Sequence, residues 1–421
     1  MVQYSVFSSQ NGNTRMEDTW TAIDDFETPN IIGNNNNTRN NHSMKHALFC
    51  VFDGHNGRDA AEWCSDNFHH LLAACLDDIN DHGDMRQLSD DTDEQQDDCD
   101  YVMNGYDRMQ CLRDAFVKCD QLLHDGCIKG GCTAAVLWLM PGIHAFEQEN
   151  NPRSNSNENS KQGNSANTEQ VNNDSLSNDL GKQVDNESLS HDLSHQLSNT
   201  SISKDYKSHE NTFPLTILTG NVGDTRILLL RPNKQDESSS SYPEYHALRL
   251  SVDHSASTNV DEQQRIRDGS DGFIAYNRVN GMYAITRTLG DHDSKDCLLG
   301  LPHVSMMELS KTANKDYDEE QNESEINDVD DGSNSNTMDN DVEMPDLLVL
   351  ATDGIWDALS DETVAVLLTQ LYRQTTTEKK GRRAIHSVSD DSFVEQAAEL
   401  LARKAIAAGS RDNITVIVVS L

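Results

Sequence analysis

The sequence predicts an α+β fold in which antiparallel sheets carry helices on their outer faces. Two observations lead there: strand-like runs outnumber long helical patterns, and several of the runs are joined by short turns. Residues 2–8 alternate polar and apolar, as a strand with one buried face does. Residues 47–52 read as a second strand. Over 58–76, Ala61, Cys64, Phe68, Leu72 and Cys75 recur near helical spacing with Trp63 beside the stripe, which predicts an amphipathic helix. Met109, Leu112, Phe116 and Leu123 predict another over 106–124. Residues 131–139 are strand-like, and 215–230 read as two strands joined through Asn221–Asp224, where Gly and Asn supply turn geometry. A strand over 346–352, helices over 360–372 and 392–408 and a strand over 414–420 complete the chain, with Gly409 as C-cap of the last helix. There is no internal repeat.

The chain has 421 residues, a net charge of −38 and 35% hydrophobic residues. That apolar content suffices for a substantial core, but not for one spread evenly along the chain. Residues 77–100 carry eleven Asp/Glu against one Arg, and 311–346 carry thirteen against two Lys, so these two stretches hold more than half of the net charge. Residues 141–212 are rich in Ser and Asn, with Phe146 and Tyr206 as their aromatics. Such segments cannot bury enough surface to offset chain entropy, and all three are predicted to be disordered inserts. The run Asn34 to Asn37 reads as a smaller loop insert. What is left is the size of one large domain, so residues 1–421 are predicted to form a single catalytic domain interrupted by insertions.

The acidic balance speaks against nucleic acid or an anionic membrane as partner, since both require Lys and Arg to neutralise phosphates. Nine cysteines without a C-x-x-C pair argue against a zinc site or a disulfide scaffold. Cys50, Cys64, Cys75 and Cys132 lie in apolar context and read as reduced core thiols, which fits a cytoplasmic or nuclear compartment. Arg15 is the first basic residue, so no secretory n-region or Arg-rich transit helix is recognised. No apolar run approaches the ~20 residues of a membrane span. A soluble monomer is expected.

Four short acidic motifs carry the chemistry: Glu17-Asp18, Asp53-Gly54-His55, Asp353 to Asp357, and Asp412-Asn413. Three border apolar runs directly. Carboxylates crowded at the ends of core strands repel one another unless a cation sits among them. Hard oxygen donors with no Cys or His cluster favour Mg²⁺ or Mn²⁺ over zinc or copper. Any one of these acids alone is as readily a turn residue. Neighbouring strand residues face opposite ways, so Glu17 and Asp18 are not expected to ligate alike. His55 follows Asp53 by two residues, on the same side of an extended backbone, and suits a general acid.

The motifs run in a recognisable order. They are Met16-Glu17-Asp18, Phe52-Asp53-Gly54-His55, Gly131-Cys132-Thr133-Ala134, Gly223-Asp224-Thr225-Arg226, Arg278-Val279-Asn280-Gly281, Thr288-Leu289-Gly290-Asp291, Asp353-Gly354-Ile355-Trp356-Asp357 and Arg411-Asp412-Asn413. With them the chain resembles the metal-dependent Ser/Thr protein phosphatases of the PPM (type 2C) family over all but its inserts. The resemblance implies a four-layer α-β-β-α sandwich of two antiparallel sheets flanked by helices, and phosphoproteins as substrates. It further implies that Asp18 ligates directly and Glu17 through water, that Asp53 bridges two Mg²⁺ or Mn²⁺ ions with help from the Gly54 carbonyl, and that Asp353 and Asp412 complete the second site. Asp224 and Asp357 would hold a third, weaker ion. Two such ions about 3.5–4 Å apart bring a shared water near neutral pKa, and the resulting hydroxide would attack phosphorus in line. His55 would protonate the leaving alkoxide.

The chain departs from the family at Asn13, where an Arg commonly clamps the substrate phosphate. On a regular strand, Arg15 lies on the same face about 6–7 Å along, and is the candidate to take over. At Asn56, where many members have Gly, Asn also tolerates positive φ. Of the other histidines, His69-His70, His42 and His46 read as solvated. Lys379 to Arg383 reads as a short basic loop, a nuclear localisation signal being the alternative. Three other functions compete. A catalytically weak or inactive relative that binds phosphoproteins has Asn13 in its favour, and the retained acids against it. An acidic divalent-ion-binding protein without catalysis would need a contiguous ligand loop, which is missing. A two-metal nuclease would need a basic surface.

Overall fold

The computed structural model describes residues 2–26, 46–83, 105–141, 215–233, 243–309, 344–381 and 391–421. Most of the three predicted inserts, the Asn34 to Asn37 run and His42 lie outside the described residues. The strands are β1 (Gln3–Ser9), β2 (Thr19–Ile23), β3 (Ala47–His55), β4 (Gly131–Pro141), β5 (Leu215–Val222), β6 (Arg226–Pro232), β7 (Tyr245–Arg249), β8 (Ile274–Ala275), β9 (Arg278–Val279), β10 (Leu289–Gly290), β11 (His303–Leu309), β12 (Leu347–Ala351) and β13 (Ile414–Ser420). The helices are α1 (Asp59–Gly83), α2 (Gly105–Asp125), α3 (Val260–Gly269), α4 (Asp353–Trp356), α5 (Asp361–Gly381) and α6 (Asp391–Ala407).

One sheet runs β1-β13-β12-β6-β7 and the other β11-β5-β4-β3-β2, with β10 added beside β4. All these pairings are antiparallel. The apolar strand runs follow from the layering, because the inner strands are buried on both faces. Along β12, Leu348 and Leu350 point into the layer between the sheets, against Phe49, Leu137, Ile227 and Ile417. Leu347, Val349 and Ala351 point the other way, against Leu368, Phe393 and Leu401 of α5 and α6. On the far side, Phe52, Trp138 and Cys50 meet Phe68 of α1 and Phe116 of α2. Period-two alternation thus feeds two apolar layers from each sheet, and the result is the four-layer sandwich. Each fully buried large side chain contributes roughly 1.5–3 kcal/mol. Cys50, Cys64, Cys75 and Cys132 are buried free thiols, as expected.

Four readings need correction. The two strands over 215–230 are not a hairpin: β5 belongs to one sheet and β6 to the other, so Gly223, at φ +83°, turns the chain between layers. Helix α1 continues to Gly83, seven residues into the predicted acidic insert. Helix α5 continues to Gly381, which makes the start of the basic run helical rather than loop. His46 is not solvated. Its ring lies 6.0 Å from that of Trp138 and burial lowers its pKa to about 4. No helix among the described residues is long and apolar enough to cross a membrane.

Candidate active site

The register of the two sheets gathers the acidic motifs. Thr19 pairs with Phe52, Ala134 with Val222, and Ala351 with both Arg226 and Val416. Asp18 before β2, Asp53 near the end of β3, Asp224 after β5, Asp353 after β12 and Asp412 before β13 therefore all fall at one end of the sandwich. A bond across the layers joins the sheets there: Thr352 Oγ1 donates to Asp18 Oδ2 at 3.1 Å, and the Thr415 N–H donates to Thr352 Oγ1 at 3.1 Å.

The acids feel one another. Burial lifts Asp18 from the ordinary carboxylate value to about 6, with Asp412 adding to the rise against hydrogen bonds from Thr415 and Thr352. Burial, then the charges of Asp353, Asp18, Asp224 and Asp412, hold Asp53 well above its usual value. Burial, then Asp224, Asp412 and Asp357, do the same to Asp353. Asp224 rises to about 6 through burial and then Asp253 and Asp357. Asp357 is raised by burial and then by Asp412. Asp18 is 1% exposed, yet its Oδ1 has no hydrogen-bond partner. Among the described residues no three His, Cys, Asp or Glu side chains stand together so as to hold a metal ion. A crowd of hard oxygens, one of them buried and unsatisfied, is the donor set that suits Mg²⁺ or Mn²⁺.

Glu17 and Asp18 do behave differently, but not because of strand alternation. Residues 10–18 form a turn and loop, and β2 starts at Thr19. Glu17 Oε1 accepts from the N–H of Gly57 at 3.1 Å, whereas Asp18 is turned inward. The strand argument for Arg15 fails for the same reason. Asn13 Nδ2 donates to Asp412 Oδ1 at 3.0 Å, and Arg15 is exposed with its carbonyl bonded by Asn413. Gly54 is required by packing as well: a Cβ there would come within 2.6 Å of the Glu17 carbonyl oxygen. His55 lies on β3 as expected, with Nε2 2.5 Å from Asp291 Oδ2. Asn56 has φ 60°, the conformation Asn tolerates.

Sequence reasoning assigned no role to three residues here. Asn413 binds the whole 10–17 loop: Oδ1 accepts from the Glu17 N–H at 2.7 Å, and Nδ2 donates to the carbonyls of Gln10 and Arg15 at 3.0 and 2.9 Å. Arg226 bonds Asp253 and Asp361 and lies 4.9 Å from the Trp356 ring centroid, bracing the turn that holds Asp224. Asp291 is the third. All three stood in the quoted motifs, which was the available signal.

The Protein phosphatase 2C family model matches residues 2–142, 140–317 and 333–414. The chain belongs to the protein phosphatase 2C family. It is 24% identical over 428 aligned residues to Protein phosphatase 2C homolog 1 of Saccharomyces cerevisiae, covering 100% of this chain and 94% of that protein. It is 29% identical over 213 residues to Protein phosphatase 2C 50 of Oryza sativa subsp. japonica, covering 49% of this chain and 43% of that one. The crystal structure of a serine-threonine phosphatase 2C from Toxoplasma gondii shares the fold at a TM-score of 0.50, with 16% identity and coverage of 100% and 94% of the two chains. Type 2C membership accounts for the order of the motifs, and the sandwich is the one that the resemblance implied.

Proposed function

We propose that this type 2C chain is a divalent-cation-dependent phosphatase, a phosphoric monoester hydrolase acting on phosphoserine and phosphothreonine in proteins. The observation that carries the reading is the convergence of Asp18, Asp53, Asp353 and Asp412 at one end of the sandwich, with Asp18 Oδ1 buried and unpaired. Those four with the Gly54 carbonyl would hold two Mg²⁺ or Mn²⁺ ions, and Asp224 and Asp357 with Asp353 a third. Glu17, already engaged by the Gly57 N–H, would act at one remove. Bound there, the cations would supply a water acidified to near neutrality and offset charge on the phosphoryl oxygens. His55 would give a proton to the departing serine or threonine oxygen. Arg15 is the cationic side chain of the 10–18 loop and would bind the substrate phosphate.

Hydrolysis of a phosphothreonine peptide with Mn²⁺, with Mg²⁺ and with EDTA tests this. Turnover that needs the metal, and that Asp53→Asn lowers by about a hundredfold or more, is the expected outcome. A folded chain inactive with both metals would favour the second reading, a catalytically weak or inactive binding protein. The observation on its side is Asn13, which bonds Asp412 where the family commonly carries a phosphate-binding Arg.

A further inference from the structure

The motif ending in Asp291 has no part in the function above, yet the chain places that residue with care. Gly290, at φ +83°, closes β10 against β4, and a Cβ on it would come within 2.5 Å of the Gly130 carbonyl oxygen. Asp291 has φ 50°, a conformation uncommon outside glycine, and its N–H donates to that same carbonyl at 2.9 Å. A Cβ on Gly131 would strike the Asp291 carboxylate and approach His55 Nε2 to 2.8 Å. Gly130, at φ +75°, packs so closely that a Cβ would come within 2.6 Å of the His55 carbonyl oxygen. Three glycines and a left-handed aspartate thus make room for one contact, the 2.5 Å pair between Asp291 Oδ2 and His55 Nε2. The Asp291 side chain is 3% exposed, whereas that of His55 is 27% exposed, its ring edge-on to Tyr283.

We infer that Asp291 is a positioning residue for His55: its carboxylate accepts the hydrogen bond from Nε2–H, fixes the ring's orientation and tautomer, and leaves Nδ1 to serve the site. An ionised carboxylate only accepts hydrogen bonds, so the nitrogen facing it carries the hydrogen. Among the described residues no hydrogen bond engages Nδ1. A buried carboxylate that holds a histidine ring is a general device for keeping the second nitrogen in one tautomer and one place. The inference rests on the phosphatase reading for the role of His55, and on geometry alone for the pairing.

The test uses the full chain and Asp291→Asn, because Asn keeps the size and tolerates the left-handed backbone. The ¹⁵N shifts of the His55 ring, read without added cation at one fixed alkaline pH, are expected to place the hydrogen on Nε2 in the wild type. In the variant that preference should be lost. With Mn²⁺, the ratio of kcat for a phosphothreonine peptide to kcat for p-nitrophenyl phosphate should fall about tenfold or more. The nitrophenolate leaves without a proton, so general-acid assistance matters only to the peptide. In a His55→Ala background the same substitution should leave that ratio where His55→Ala alone puts it. A wild-type hydrogen on Nδ1, an unaltered tautomer in Asp291→Asn, or an equal fall with both substrates would overturn the inference. Failure of the wild type to hydrolyse either substrate would instead sink the phosphatase reading, while the ring shifts would still decide the pairing.

Discussion

In the proposed site, Asn13 and Arg15 are the residues that bear on how a substrate phosphate would be met. The amide of Asn13 is spent on Asp412, a predicted cation ligand, so that side chain offers no charge to a phosphate. Arg15→Ala is expected to raise KM for a phosphothreonine peptide about tenfold, the low end for a charge-assisted hydrogen bond. An unchanged KM would assign phosphate recognition to the cations alone. At this scale the acids were legible because each stands in a short motif beside an apolar run. Asn413 and Asp291 were not, because their partners Glu17 and His55 lie 396 and 236 residues away and no local spacing signals them.

Among the elements, the 10–18 loop and the turn at Gly223 position the site, and both work through side chains from elsewhere. Asn413→Ala would remove three hydrogen bonds to the loop backbone and leave the Glu17 N–H and the Arg15 carbonyl unpaired, while the Gln10 carbonyl keeps the N–H of Asn13. A loss of about 2–3 kcal/mol in urea unfolding is expected, and a loss below 0.5 kcal/mol would show that the loop stands without Asn413. Helices α1, α2, α5 and α6 and the inner strands were legible from their apolar periods, whereas α3, which buries only Glu262 and Ile266, was not. Which sheet a strand joins was not, because β5 and β6 are apolar on both faces and their turn looks like a hairpin's. The missed strands β7 and β11 have mixed exposure at the sheet edges, where the alternation that would reveal them fades.

For the whole molecule, the acid cluster costs stability that a cation would restore. Asp18 titrates near 6 in the folded chain against 3.8 as its ordinary value. The folded state therefore holds that proton more tightly, so stability falls as pH rises between these values and stays low above them. For Asp18 alone the fall is of the order of 2–3 kcal/mol, and Asp224 shifts the same way. In EDTA, raising the pH from about 5 to 7.5 should raise Tm less, or lower it more, in the wild type than in Asp18→Asn, and Mn²⁺ should alter the wild type more than the variant. The same pH dependence of Tm in the wild type and in Asp18→Asn would contradict the burial of this carboxylate. Buried His46 and His303, both lowered to about 4, and His254, lowered further by burial, work against the trend below about pH 6.5, so the comparison with Asp18→Asn isolates the acid.

The central claim is that four converging carboxylates form a two-cation centre. Equilibrium dialysis against Mn²⁺ with the wild-type chain and with Asp53→Asn tests it most directly. The account predicts at least two ions on the wild type and the loss of one or more in the variant, with the fold retained by circular dichroism. A folded wild-type chain that binds no Mn²⁺, or a variant that binds as many ions as tightly, would contradict it.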